Sequence, residues 1–206
     1  MNSDKIDIHI NIGSNSGHRK ALIERAVAAI SASFPGEIRV SDFIETEPWG
    51  FDSPHRFLNV GVMVRTTVGT LFKASASGKN PSNDTTKELP PANLFPDALK
   101  SVPTAPSREE IALAILDRLL EIQRLIDPSP HRSPDGSYID RAIDIDLIAI
   151  TDWVITAPRL TLPHPRMHLR DFVLRPMTQL APAWLHPLIG KTPAELARDI
   201  EARELH

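Results

Sequence analysis

An antiparallel α+β sheet of the split βαβ, ferredoxin-like kind, with helices on one face and a C-terminal appendage, is what the order of periodic segments predicts. Four stretches alternate apolar and polar residues as strands do, and two carry an apolar stripe at helical spacing. They follow one another as strand, helix, strand, strand, helix, strand. Right-handed crossovers would bring the first and last of these strands together centrally. At 206 residues the chain suits one domain, 1–206, with a real core.

The first strand spans Ile6 to Ile12, with isoleucine at every second position, and ends at the turn Gly13-Ser14-Asn15-Ser16-Gly17. Leu22, Ile23, Ala26, Val27 and Ile30 then form a helical stripe, with Arg19, Lys20, Glu24 and Arg25 on the outer face. No Gly-Lys-Ser/Thr follows the glycines, so this turn is not a P-loop. Glu37 to Glu47 and Phe57 to Thr67 are the next two strands, rich in β-branched residues. The loop between them, 48–56, is long for a hairpin and carries two large aromatics, Trp49 and Phe51. Aromatics exposed on a loop either pack beneath it or meet a flat ligand.

From about Ala74 to Pro106 the chain is rich in Pro, Ser, Asn and Thr, which predicts an insertion or long surface loop. Ser107 and Glu110 form a predicted capping box, opening a helix with the stripe Ile111, Ile115, Leu116, Leu119, Ile122. Pro128 and Pro130 end it. Two short extended pieces follow the fourth strand, around Trp153–Ile155 and Leu160–Leu162, and then a helical segment over 168–177. A second capping box, Thr192-Pro193-Ala194-Glu195, opens a C-terminal helix.

The composition excludes several classes. A net charge of −3 gives no general attraction to nucleic acid or anionic lipid. The chain has no cysteine, hence no disulfide, thiol nucleophile or Cys-based metal site. It has no apolar signal core at its start and no apolar run approaching the roughly 18 residues of a membrane span. A cytoplasmic protein, acting as a monomer without nucleic-acid or membrane partners, is the expectation.

The stretch with most chemistry is Arg141-Ala142-Ile143-Asp144-Ile145-Asp146-Leu147-Ile148-Ala149-Ile150. In a strand, Asp144 and Asp146 share one face while Ile143, Ile145 and Leu147 share the other. Taken alone, an Asp-x-Asp is more often a solvated strand end than a site. Beside buried surface, two like charges need a counter-cation, and oxygen ligands without cysteine favour Mg2+ or Mn2+ over zinc.

Five segments in order resemble one family. They are Ile12-Gly13-Ser14-Asn15, Glu45-Thr46-Glu47-Pro48-Trp49-Gly50, Phe57-Leu58-Asn59-Val60, and Asp140-Arg141-Ala142-Ile143-Asp144-Ile145-Asp146. The fifth is Leu160-Thr161-Leu162-Pro163-His164-Pro165-Arg166-Met167, followed by Arg170-Asp171-Phe172-Val173-Leu174-Arg175-Pro176. Together they are similar to the 6-hydroxymethyl-7,8-dihydropterin pyrophosphokinases, over roughly residues 6–187 without the 74–106 insertion. The resemblance implies transfer of pyrophosphate from ATP to the pterin hydroxymethyl group, releasing AMP, in folate biosynthesis. It implies that Asp144 and Asp146 hold two Mg2+ ions with ATP and that Arg141 braces the transferring phosphates. Phe57 and Phe172 would stack on the pterin, Asn59 would bond its edge, and Thr46, Pro48 and Trp49 would complete that wall. Gln123, Arg132, Arg141, Arg159, Thr161, His164 and Arg170 would contact ATP.

The chain also departs from the family pattern. Gln123 stands for the usual glutamate and Asp140 for the usual proline. The customary Gly-Arg-x-Arg segment is missing, with only His131 and Arg132 left to supply positive charge there. A non-catalytic ferredoxin-like module that keeps a pterin or nucleotide as effector is the alternative, against which the retained aspartate pair argues.

Overall fold

The structure is a computed structural model, and it describes residues 5–74, 106–129, 136 and 139–204. Most of the 74–106 insertion, Arg132 and the missing-arginine segment therefore lie outside the described residues. The elements run β1 (Lys5–Ser14), α1 (Arg19–Ser33), β2 (Glu37–Val40), β3 (Ile44–Thr46), β4 (Phe57–Thr67) and α2 (Val68–Ala74). They continue with α3 (Arg108–Ile126), β5 (Asp144–Ile150), β6 (Ile155–Ala157), β7 (Leu160–Leu162), a 3-10 turn (Met167–Leu169), α4 (Asp171–Leu180) and α5 (Pro193–Glu204). The main sheet has the order β2-β4-β1-β5, with β3 also on β4, and every described pairing is antiparallel. This is the predicted α+β architecture.

Period-two alternation gives the sheet two different faces. Ile8, Ile10, Ile12, Val60, Val62, Val64, Ile145 and Leu147 lie on one face and are covered by α1 and α3, which supply Ile23, Ala26, Ile30, Ile115, Leu119 and Ile122. Both capping boxes form. Ser107 Oγ accepts from Glu110 N while the Glu110 carboxylate accepts from Ser107 N, and Thr192 and Glu195 do the same. The two helices are tied by Arg118, buried at 5 % exposure, whose Nε donates to Ser33 Oγ on α1.

Three details differ from the sequence expectation. The Asp-bearing strand does pair with β1, but it stands at the edge of the described sheet, and β1 and β4 hold the centre. The predicted strand 37–47 is two strands, because Ser41 leaves the ladder. Its Oγ accepts from Gly61 N while its own N donates to Gly61 O. The appendage covers the second face of the sheet, where α4 buries Val173, Leu174 and Met177 with Ile148, Met167 and Leu196. Gly61 permits that approach. A Cβ there would lie 2.6 Å from Pro176 Cβ and 3.2 Å from Leu180 Cδ1. Gly61→Ala should therefore push α4 off the sheet and cost about 1–3 kcal/mol, read as a Tm lowered by several degrees in thermal unfolding. An unchanged Tm would mean that α4 does not need this contact.

Candidate active site

The second face of the sheet is apolar only where α4 covers it. Toward the other end of the strands the same face carries Asn11 and Gly13 of β1, Asn59 of β4, and Asp144 and Asp146 of β5. The register sets Asn11 opposite Asp146 and Gly13 opposite both Asn59 and Asp144. These residues are part of the lining of a pocket closed by Thr46, Glu47, Trp49, Phe51, Phe57, Arg141, Arg170 and Phe172. The site thus lies on a sheet face, walled by the 47–56 loop and the start of α4, rather than at a bare sheet end.

Each aspartate faces an arginine. Arg141 Nη1 is 3.4 Å from Asp144 Oδ2, and Arg170 Nη1 is 3.3 Å from Asp146 Oδ2. Both arginine side chains are nearly buried, at 11 % and 10 % exposure. Burial, then the like charge of Asp144, push the Asp146 carboxyl up to about 7, against the pull of Arg170 and Arg141. Its side chain stays 33 % exposed, so water in the pocket moderates that shift. Among the described residues no cluster of three or more acidic or histidine side chains could enclose a metal. Two carboxylates on one strand face fit a Mg2+ ion that takes its other ligands from phosphate oxygens and water.

The aromatic half is arranged around the arginines. The Arg170 guanidinium lies 4.9 Å from the Trp49 ring centre and 5.5 Å from that of Phe172. Arg141 sits 5.6 Å from the ring centre of Phe57, and Phe51 meets Phe57 edge-on at 6.1 Å. Asn59 is 2 % exposed and its Nδ2 donates to Thr46 Oγ1 at 3.0 Å, which sets the orientation of the carboxamide. Gly13 makes room for it, since a Cβ at that position would stand 2.9 Å from Asn59 Oδ1.

Of the residues expected on the pterin side, Thr46, Trp49, Phe57, Asn59 and Phe172 line the pocket, and Pro48 is half-buried beside them. Asn11, Gly13, Glu47 and Phe51 line it as well. Asn11 and Gly13 alternate with Ile10 and Ile12 of β1, and that period of two places them on the face away from the isoleucines. Of the residues expected on the ATP side, Arg141 and Arg170 are in the pocket. Gln123, Arg159, Thr161 and His164 are not among its lining. Gln123 Oε1 accepts from Ile145 N at 2.6 Å, bracing the Asp-bearing strand against α3. Arg159 pairs with Asp117 of α3, and Thr161 is exposed on β7. His164 Nδ1 accepts from Arg166 N at 3.2 Å. Burial, then Arg170 and Arg166, hold its pKa down to about 4, so the neutral imidazole carries its proton on Nε2.

A family model described as 7,8-dihydro-6-hydroxymethylpterin-pyrophosphokinase matches residues 9–76 and 102–182. A 2-amino-4-hydroxy-6-hydroxymethyldihydropteridine pyrophosphokinase of Porphyromonas gingivalis is 33% identical over 181 residues, covering 87% of this chain and 93% of the relative. The protein of the same name from Aquifex aeolicus is 25% identical over 184 residues, covering 89% and 86%. Among solved structures, wild-type HPPK-DHPS of Plasmodium falciparum with pteroate superposes at a TM-score of 0.59 and 12% identity, which speaks for the fold. That superposition covers 97% of this chain and 45% of the Plasmodium chain, so this chain matches less than half of that protein. On the family match and the Porphyromonas relative together, the chain belongs to the 7,8-dihydro-6-hydroxymethylpterin-pyrophosphokinase family.

Proposed function

We propose that the chain transfers pyrophosphate from ATP to the hydroxymethyl group of 6-hydroxymethyl-7,8-dihydropterin, giving AMP and the pterin diphosphate, in folate biosynthesis. One observation carries this reading. A single pocket joins an aromatic and carboxamide wall to a cluster of two aspartates and two arginines. A flat heterocycle edged with donors and acceptors suits the first half, and a polyphosphate the second.

In this reading Phe57 and Phe172 hold the pterin faces, with Thr46, Pro48 and Trp49 as the adjoining wall and Asn59 on its polar edge. The pterin oxygen attacks the β-phosphorus of ATP, the bond from that phosphorus to the α–β bridging oxygen breaks, AMP leaves with that oxygen, and the hydroxyl proton passes to solvent water. Arg141 and Arg170 present always-charged donors to the transferring and leaving oxygens. His164, neutral with Nε2–H, can donate to a phosphate oxygen without adding charge. Gln123, Arg132, Arg159 and Thr161 complete the proposed nucleotide side. Asp144 and Asp146 would hold two Mg2+ ions, which when bound neutralise phosphate charge and orient the reacting oxygens. We assign the action to a cytoplasmic monomer with ATP and the pterin as its partners. The 74–106 stretch is taken as an insertion in a single domain, which is supported by the family match leaving 77–101 aside.

The test is AMP release from ATP with Mg2+, with and without the hydroxymethyl-dihydropterin. Pterin-dependent AMP is expected. Tight pterin binding without AMP would favour the effector-module reading instead. Cation binding should also be coupled to a proton. The Asp146 carboxyl is held up to about 7, so it must lose a proton to accept Mg2+, and affinity should fall as pH drops below about 7. Calorimetric titration with Mg2+ and a non-hydrolysable ATP analogue, in two buffers of different ionisation enthalpy, reads this directly. Equal heats in both buffers at pH 7, after subtraction of Mg2+ binding to the analogue alone, would show that the Asp146 carboxyl gives up no proton to the cation.

A further inference from the structure

Asp140 stands where the family resemblance leads one to expect proline, and it makes contacts no proline could. Its Oδ1 accepts from Asn15 Nδ2 and from Ser53 Oγ, both at 2.6 Å. Its Oδ2 accepts from His55 Nδ1, also at 2.6 Å. Three separate segments therefore meet on one carboxylate: the turn after β1, the 47–56 loop, and the chain leading into β5. The cluster is closed within itself. Ser53 Oγ accepts from His55 N at 3.1 Å, and Asn15 Nδ2 also donates to His55 O at 3.3 Å. On its inner side Asn15, 3 % exposed, accepts from Arg141 N at 2.9 Å and donates its own N to Arg141 O at 3.2 Å.

The loop gathered in this way carries Trp49 and Phe51 and leads into Phe57, all three of which line the pocket. Hydrogen bonds to an ionised carboxylate are shorter and stronger than neutral ones. A loop already held in its bound shape spares the ligand the entropic cost of ordering it. We propose that Asp140 is a positioning residue for the pterin half of the site. Through Ser53 and His55 it holds the aromatic loop in place against the segment that bears Arg141. This inference rests on the pyrophosphokinase reading of the same pocket.

Asp140→Ala should raise the pterin KM and the calorimetric pterin Kd about tenfold, which corresponds to about 1.4 kcal/mol. Its kcat should stay within about threefold of wild type, and ATP affinity measured without pterin should not move. Amide hydrogen exchange over 49–56 should quicken. Asp140→Asn keeps an acceptor for Asn15 and Ser53 and should fall between the two. His55→Ala alone should reproduce part of the loss, and in the Asp140→Ala background it should add little, because the two residues act as one unit. Should Asp140→Ala fail to fold, the exposed-loop pair Ser53→Ala and His55→Ala tests the same contact. A lowered Tm with unchanged pterin KM and unchanged loop exchange would overturn the proposal, as would equal losses of pterin and ATP affinity. A wild-type chain without turnover would instead count against the function, while pterin Kd and loop exchange would still decide the role of Asp140.

Discussion

Asp146→Asn is expected to abolish nearly all turnover, on the order of 10³-fold or more, and yet to raise the melting temperature at pH 8. The loss follows from removing a proposed cation ligand at the transferring phosphates. The gain follows from linkage. The carboxyl titrates at about 7 in the fold, against an ordinary value of 3.8. Between those values the folded state holds more protons than the unfolded one, so this group's contribution to stability falls as pH rises from about 4 to about 7. Above 7 the wild type carries the whole penalty and the asparagine variant carries none. A chain of this size responds by about 2–4 °C per kcal/mol. The Tm advantage of the variant over wild type should therefore be present at pH 8 and smaller at pH 5. A variant less stable than wild type at pH 8 would show that Arg170 depends on this carboxylate more than burial and Asp144 together disfavour it.

Asn59→Ala and Arg141→Ala should fail in opposite ways. In the proposed map Asn59 meets the pterin edge in the ground and transition states alike, so its loss should raise KM and spare kcat. Each donor or acceptor left unmatched costs roughly 1–3 kcal/mol, which predicts pterin affinity weaker by about ten- to a hundredfold or more. Thr46 Oγ1 also loses the Nδ2 donor that now reaches it at 3.0 Å. ATP affinity without pterin should hold. Arg141 is proposed to face the charge that develops on the transferring group, so its loss should fall mainly on kcat. Titration of both variants with each ligand, beside steady-state rates, checks the pair. Loss of ATP affinity in Asn59→Ala with intact pterin affinity would invert the proposed map of the pocket.

Much of this protein was determined by local rules. Isoleucine at every second position of β1, the valines of β4 and the Asp-Ile-Asp-Leu of β5 dictate strands whose two faces differ in kind. Ser107 with Glu110 and Thr192 with Glu195 mark their helix starts because each box is closed by residues three apart. Asp144 and Asp146 share a face because strand residues two apart point the same way, and the motif residues Thr46, Phe57, Asn59 and Phe172 all line the pocket. Only the tertiary structure decided what each face meets. Periodicity says that residues point the same way, not what will cover them. Whether Asp146 finds Arg170, whether Gln123 braces Ile145, and whether α4 closes on Gly61 all depend on segments distant in sequence. The same holds for Asp140. Its carboxylate gathers Asn15, Ser53 and His55, residues 125, 87 and 85 positions away, and no local pattern encodes a contact of that range.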